Sequence, residues 1–182
     1  MAGICVALLR GINVGTAKRV AMADLRALVE ELGYGDVRTV LNSGNVVFSA
    51  PGVTAAEAAA GIQAAVAERL GVSCRVVALT AAELAAVIAD NPLLPVADNP
   101  SRLFVAVLAD PADRALLRPL AEQDWAPEVL AVGARAAYLW CPGGLAVSRL
   151  AEAIGRVLGD GVTTRNWATM AKLHALTEAG RS

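Results

Sequence analysis

The clearest structural signal in the sequence is the apolar run Gly3-Ile4-Cys5-Val6-Ala7-Leu8-Leu9. Apolar and polar residues do not alternate within this run, which predicts a central strand that is covered on both faces. The run is too short for a secretory leader, and no window of the chain has the roughly 18 to 20 uninterrupted apolar residues of a membrane span. We therefore expect a soluble, cytoplasmic protein that does not associate with membranes.

The segments after this run predict a βαββαβ unit. Thr54-Ala55-Ala56-Glu57 has the spacing of a capping box, which opens a helix, and Gly33 supplies a stop for the helix before it. The turn residues Asn42-Ser43-Gly44-Asn45 separate two short β-forming runs, as expected for a hairpin. The predicted elements after the first strand are a helix over 22–32, strands over 37–41 and 46–49, a helix over 54–70 and a strand over 73–79.

A similar order of elements follows a connecting segment. Thr80-Ala81-Ala82-Glu83 is a second capping box and starts a third helix, and the proline-rich residues 91–100 are typical of a linker. The predicted elements beyond it are a strand over 102–109, a helix from Asp110-Pro111, a hairpin of 128–132 and 136–141, a helix capped by Ser148 and a strand over 162–164. The sequence therefore predicts an α+β fold of two tandem ferredoxin-like halves, 1–79 and 102–182, joined by residues 80–101.

Two loops of the first half are predicted to meet and to form a ligand site. In a βαββαβ unit, the loop after the first strand and the turn between the second and third strands lie at one edge of the sheet. Glycines in these loops allow close approach of the backbone, and successive N–H groups form anion-binding concavities. The corresponding loops of the second half, 110–112 and 133–135, are poorer in such residues, so we expect one site. Its expected residues in the first half are Arg10, Gly11, Asn13, Gly15, Lys18, Ser43, Gly44 and Asn45.

The C-terminal residues 164–173 predict a last helix, with Thr164 or Asn166 as its N-cap. We expect Trp167 to be a buried anchor that packs this segment back across the molecule. The helix would then hold Arg165, Thr169 and Lys172 along one side. On this hypothesis Arg165, Asn166 and Lys172 complete the ligand site beside Arg10.

Charge and cysteine content exclude several classes of protein. The formal net charge of −1 and the pI near 5.8 lack the general basic footprint of a duplex-binding protein, although both ends of the chain are locally positive. Cys5, Cys74 and Cys141 are far apart and none has C-x-x-C spacing, which argues against a disulfide framework and against a zinc site. We expect three buried thiols within strands, and no metal.

Three separated motifs stand out together: Leu8-Leu9-Arg10-Gly11-Ile12-Asn13-Val14-Gly15, Ser43-Gly44-Asn45-Val46-Val47-Phe48, and Thr164-Arg165-Asn166-Trp167 with Thr169, Lys172 and Leu173. In this order they resemble a bacterial family catalogued as domain of unknown function 1697. The resemblance spans nearly the whole chain and implies a tandem ferredoxin-like α+β fold, without an established activity. Thr16, Lys18 and Ala21 stand where such sequences tend to have Gly, Asn and Pro.

Familiar catalytic and phosphate-binding motifs are missing from the sequence. His174 is the single histidine, and nothing near it in sequence supplies a nucleophile, so we expect a surface residue. The glycines of the first loop match neither a P-loop nor a dinucleotide fingerprint. RNA binding across the sheet face is also disfavoured, because the first strand has no aromatic residue and the third has only Phe48.

Three functional readings remain from the residues alone. The favoured one is a binding module for a small anionic ligand, such as a nucleotide, or for a nucleic-acid phosphate. The second is an enzyme that uses Arg10, Asn13 and Ser43 or Asn45 to orient and polarise a substrate. The third is a structural or oligomeric protein whose loop edge is buried by another subunit. The reaction, the cofactor and the oligomeric state are left open.

Overall fold

A computed structural model describes residues 3–181 of this α+β protein. The described residues form two four-stranded antiparallel sheets and six α-helices. Contacts within the chain group it into two units. Unit 1 contains the described residues up to Leu84 and those from Leu173 onward, and unit 2 is Ala85–Lys172. The limits expected from the sequence, 1–79, 80–101 and 102–182, differ from this division and stay a prediction.

Unit 1 contains the first sheet, whose strand order is β2-β3-β1-β4. The strands are β1 (Ile4–Leu9), β2 (Gly35–Val40), β3 (Asn45–Ser49) and β4 (Val76–Thr80), and the helices between them are α1 (Met22–Glu31) and α2 (Ala55–Leu70). Cys5, Ala7 and Leu9 pack into the core below these helices. Val6 and Leu8 alternate with them and are also buried, so the prediction that the first strand is covered on both faces is confirmed.

The two capping boxes predicted from the sequence are formed at the starts of two helices. The Glu57 N–H donates to Thr54 Oγ1 at 3.2 Å and the Thr54 N–H donates to Glu57 Oε2 at 2.8 Å, which confirms the first capping box. The second box is also formed, since the Thr80 N–H lies 2.8 Å from Glu83 Oε2. Helix α3 (Ala81–Ala89) follows it directly. Both helices therefore begin where side chains satisfy backbone donors that lack a helical partner.

Unit 2 contains the second sheet, with strand order β6-β7-β5-β8. Its strands are β5 (Leu103–Leu108), β6 (Val129–Val132), β7 (Ala136–Trp140) and β8 (Val162–Asn166). A 3₁₀ helix (Pro111–Leu117) and α4 (Arg118–Ala121) connect β5 to β6, α5 (Arg149–Leu158) precedes β8, and α6 (Trp167–Ala179) follows it. The single helix predicted after Asp110 is thus two short pieces, although the Asp110 carboxylate does accept from the Ala112 N–H at 2.9 Å.

Of the two N-caps that the sequence offers for the last helix, the structure rules out Thr164 and confirms Asn166. Residues 164–166 themselves are not helical. These residues belong to β8, which pairs with β5 so that Arg165 lies opposite Val105. Helix α6 begins only at Trp167, with Asn166 Oδ1 accepting from the Thr169 N–H at 2.9 Å. The expectation that Arg165, Thr169 and Lys172 share one side of a helix is therefore wrong. Strand pairing with a distant segment overrides the local helical pattern here.

Helix α5 has an N-terminus that three side chains stabilise together. Ser148 Oγ accepts from the Ala151 N–H at 2.9 Å, and its hydroxyl donates to the Glu128 carboxylate. The Cys141 thiol lies 3.4 Å from the same hydroxyl oxygen, and Glu128 Oε1 also accepts from the Arg149 N–H at 3.1 Å. A carboxylate at this end of a helix is favoured by the helix dipole.

We expect Ser148→Ala to lower the free energy of unfolding by about 1 to 2 kcal/mol, because the N-cap acceptor is lost and Glu128 loses a donor. The measurement is urea unfolding followed by circular dichroism. Ser101→Ala is the matched control, since Ser101 is exposed and its side chain caps no helix. Equal losses in the two variants would contradict the capping role of Ser148.

Candidate functional site

The two loops predicted to meet do meet in unit 1. The Leu9 N–H donates to the Gly44 carbonyl at 2.9 Å, and Asn13 Nδ2 donates to the Asn42 carbonyl at 2.8 Å. The first contact continues the pairing of β1 with β3 into the turn, and the second crosses between the loops. The predicted proximity of Asn13 to this turn is therefore confirmed. We call residues 10–20, 41–45 and 74–75 the unit 1 edge.

Asn13 closes the first loop upon itself. Its Nδ2 donates to the Val20 carbonyl and its Oδ1 accepts from the Val20 N–H, both at 2.8 Å. Its own N–H donates to the Lys18 carbonyl at 3.0 Å. The side-chain amide of Asn13 thus makes the same pair of hydrogen bonds with the Val20 backbone that a residue of a neighbouring strand would make. This pairing holds the two ends of the loop together. The structure gives Asn13 a positioning role, and direct contact with a ligand stays a prediction.

Gly44 makes a close approach that a side chain would prevent. Its φ is +85°, and a Cβ added to it would lie 2.6 Å from Cδ1 of Ile12 and 3.0 Å from Cβ of Leu9. Ile12 is itself 2% exposed, so it is a core residue that belongs to the first loop. The turn can pack against the loop because position 44 has no side chain.

Asn45 is fully buried and holds the turn from inside. Its Nδ2 donates to the Val40 carbonyl at 2.8 Å and to Ser43 Oγ at 2.9 Å. Ser43 is exposed next to it. As with Asn13, the sequence correctly marked Asn45 as belonging to the edge. The structure adds that the amide links the two ends of the turn.

Cations gather at the unit 1 edge from the segments that flank two paired strands. The half-buried Arg10 follows β1 and donates its N–H at 2.8 Å to the carbonyl of Arg75, which precedes β4. Lys18 is exposed on the first loop and lies near Cys74: burial raises the pKa of that thiol, and the Lys18 charge opposes the shift. Arg75 was missed by sequence reasoning. The pairing of β1 with β4 is what brings it to Arg10.

The same edge concentrates backbone in the left-handed region. Among the non-glycine residues of the described chain, positive φ occurs at Asn13 (55°), Lys18 (51°), Leu41 (58°) and, away from this edge, Asp36 (49°). Gly11 and Gly15 also have positive φ. Leu41 is 54% exposed and Val14 is 73% exposed. An exposed leucine in a left-handed turn gains no burial to offset its strain, and such residues cluster at functional sites.

The three C-terminal residues expected at the site all lie in unit 2. Arg165 is 9% exposed, and its Nη1 donates to Thr163 Oγ1 at 3.1 Å and to the Thr164 carbonyl at 3.0 Å. Burial lowers the pKa of its guanidinium to about 10. Asn166 caps α6, and Lys172 is exposed on that helix. Trp167 is only half-buried, which is less than a full anchor. A ligand role for Arg165, Asn166 and Lys172 stays a prediction.

Among residues 3–181 we find neither a cluster of metal ligands nor a histidine paired with a nucleophile. Within residues 3–181, no group of three or more His, Cys, Asp or Glu side chains could hold a metal ion. His174 lies 3.9 Å from Glu178 one turn along α6, an arrangement typical of a helix surface.

The three cysteines are buried and form no disulfide, and only Cys5 lies within a strand, so the expectation that all three lie in strands is wrong. Burial raises the pKa of Cys5, and that of Cys141 to about 11, so both remain neutral thiols at physiological pH.

Comparisons with known proteins agree with this description of the chain. A family model described as "Protein of unknown function (DUF1697)" matches residues 3–138. A comparison with curated proteins gives no match. Among solved structures, the chain is similar to a conserved bacterial protein, SP0830, from Streptococcus pneumoniae, with a TM-score of 0.78 and 20% sequence identity over 97% of this chain and 99% of that one. This likeness is one of fold. No helix in the described part of the chain is long and apolar enough to cross a membrane.

Proposed function

We propose that this chain, which belongs to the family of proteins of unknown function DUF1697, binds a phosphate-bearing anion at the unit 1 edge. The observation that carries the proposal is that three left-handed non-glycine residues and a group of cations occur together there. Strained, exposed backbone costs stability, so a fold keeps it where it serves binding. Positive side chains at the same place select a ligand of negative charge.

The cations of the edge differ in exposure. Arg10 is half-buried beside Arg75, and a guanidinium offers a planar fork to phosphate oxygens. Lys18 is exposed and, within residues 3–181, forms no ion pair. Its ammonium therefore acts as a point charge that closes on the ligand. Gly11, Gly15 and Ser43, which are exposed, complete the proposed contact surface. Asn13 and the buried Gly44 and Asn45 hold its shape from behind, which corrects the expectation that Gly44 and Asn45 contact the ligand.

The apolar residues of the edge favour a ligand that is not a bare inorganic ion. Val14 and Leu41 expose most of their side chains beside the cations. A nucleotide or an oligonucleotide offers both a phosphate and a base that can cover such residues.

The test is a titration of the full chain with inorganic phosphate, a nucleoside monophosphate and a short single-stranded oligonucleotide. Arg10→Gln and Lys18→Asn each remove one cation, and asparagine is chosen because it tolerates the left-handed conformation of position 18. We expect about tenfold weaker binding in each variant, equivalent to one charge-assisted hydrogen bond. The double variant Arg26→Gln/Arg156→Gln removes two charges from ion-paired helix surfaces and should bind as the wild type does.

Wild-type affinity in both edge variants, with folding retained, would overturn the proposal. Preference for the oligonucleotide over the monophosphate would identify the partner as single-stranded nucleic acid. Recovery of the ligand unchanged, followed by phosphorus NMR, separates binding from the enzymatic alternative, which requires a product.

We also propose a domain organisation, a source and a cellular location for this protein. Each unit carries a four-stranded antiparallel sheet with the equivalent strand order, which supports describing them as two tandem ferredoxin-like halves. We propose the sequence-based limits 1–79 and 102–182 for these halves. A bacterial origin and a cytoplasmic location accord with the family resemblance and with the lack of a spanning helix in the described residues.

A further inference from the structure

Unit 2 contains a cavity of about 360 Å³ that sequence reasoning did not foresee. It lies between the helical connection that follows β5 and the β6–β7 turn. Its walls include Arg114, Arg118, Ala112, Ala115, Ala121 and Gly133. The volume is within the range of small-molecule sites.

Two arginines give this cavity its charge. Arg114 lies in the 3₁₀ helix, Arg118 begins α4, and both line the cavity. Both are exposed, and within the described residues neither forms an ion pair, although Glu122 follows Arg118 by one turn. None of the lining residues is acidic. Asp113, which stands between Ala112 and Arg114 in sequence, is not among the lining residues, and its carboxylate lies close to Gly161.

The cavity lies at the edge of its sheet that corresponds to the unit 1 edge. In unit 1 the last residue of β1, Leu9, donates its N–H to Gly44 in the hairpin turn. In unit 2 the last residue of β5, Leu108, donates its N–H to the Arg135 carbonyl in the β6–β7 turn at 3.0 Å. Both central strands end against the hairpin of their own sheet. The second half therefore has a concave edge of its own, where the sequence predicted none.

We propose that this cavity is a second binding site and that its ligand is a small phosphate monoester. Two arginines that line one cavity suit a dianion, since each guanidinium can donate two parallel N–H bonds to phosphate oxygens. The small side chains of Ala112, Ala115 and Ala121 leave room for a short organic group and supply apolar surface for it. No lining residue is a general base or a nucleophile, so the site binds its ligand without converting it.

The experiment is an NMR titration of the intact, ¹⁵N-labelled chain with propyl phosphate, and with dipropyl phosphate as the monoanionic comparison. We expect saturable shifts of the Ala112, Ala115 and Gly133 amide signals with the monoester, and much weaker shifts with the diester. Binding should weaken as pH falls below about 6, because the monoester then loses its second charge. Inorganic phosphate tests whether the organic group contributes.

Matched variants decide whether the arginines are responsible. Arg114→Gln/Arg118→Gln should weaken binding at least about tenfold, and Arg114→Lys/Arg118→Lys should bind between this variant and the wild type because charge remains without the planar fork. Arg26→Gln/Arg156→Gln, with the same loss of charge, should leave binding unchanged. The proposal is overturned by the absence of saturable shifts at these amides or by equal affinity in the two glutamine double variants. Arg10→Gln should leave these shifts intact, so that failure here is distinct from failure at the unit 1 edge.

Discussion

Gly44→Ala will lower the free energy of unfolding by about 2 to 5 kcal/mol and will open the unit 1 edge. The new methyl group meets Cδ1 of Ile12 at 2.6 Å and must adopt a φ of +85°. Left-handed backbone costs an alanine roughly 1 to 2 kcal/mol, and overpacking adds about 1 to 3 kcal/mol. Ile12 is buried and cannot move aside without leaving a cavity. The turn must therefore shift away from the loop, and Asn13 loses its contact with Asn42.

Gly15→Ala is the control that separates strain from collision. Gly15 also has a positive φ, 64°, but a Cβ there would meet nothing within 4 Å. It should therefore cost only the backbone strain, about 1 to 2 kcal/mol. The double variant Gly44→Ala/Ile12→Val removes the colliding Cδ1 atom and should recover part of the loss. Denaturant unfolding measures all three, and equal losses at positions 44 and 15 would show that packing against Ile12 is not the cause.

The second large effect depends on pH and concerns Tyr138 in unit 2. Its hydroxyl is buried and donates to the Val87 carbonyl at 2.6 Å. Burial, aided by the charge of Asp90, raises the pKa of Tyr138 to about 12 from an ordinary value near 10. The folded state thus holds the proton more tightly than the unfolded state. The stability that this provides is fully present below pH 10 and is lost as the pH rises toward 12, by about 3 kcal/mol in all.

Comparison with Tyr138→Phe isolates this contribution. Near pH 8 the variant should be about 1 to 2 kcal/mol less stable, because the Val87 carbonyl loses its buried donor. Between pH 10 and 12 the wild type loses stability faster, so the two stability curves should cross. Absorbance titration in a Tyr34→Phe background, which leaves Tyr138 as the single tyrosine, should give a pKa near 12. A constant difference in stability across this pH range would show that Tyr138 titrates normally.

Sequence reasoning succeeded where the signal was local. Both capping boxes, at Thr54 and Thr80, are formed as predicted, because each depends on side chains within three residues of the backbone that they cap. The meeting of the first loop with the turn at Gly44 was also predictable, since it follows from the order of elements. The family was recognised from residues in the same motifs, and the family model confirms it.

Sequence reasoning failed where distant segments compete for the same residues. The residues around Arg165 carry a plausible helix start, but hydrogen bonding to β5 makes them a strand and buries the guanidinium. This burial also makes Arg165→Ala a poor test of ligand binding, because loss of stability would accompany any loss of affinity. Lys172, which is exposed, is the better position for such a test.

The sequence by itself determined the α+β class, the order of elements and the glycine and asparagine composition of the unit 1 edge, because these follow from patterns within a few residues. Only the tertiary structure decided how those residues are used. It showed that Asn13 and Asn45 are engaged in holding the loop and the turn, and it brought Arg75 to Arg10 through the pairing of β4 with β1. It also revealed the cavity at Arg114 and Arg118. Cavities and partners of this kind arise from how separate segments pack, and no spacing along one segment encodes them.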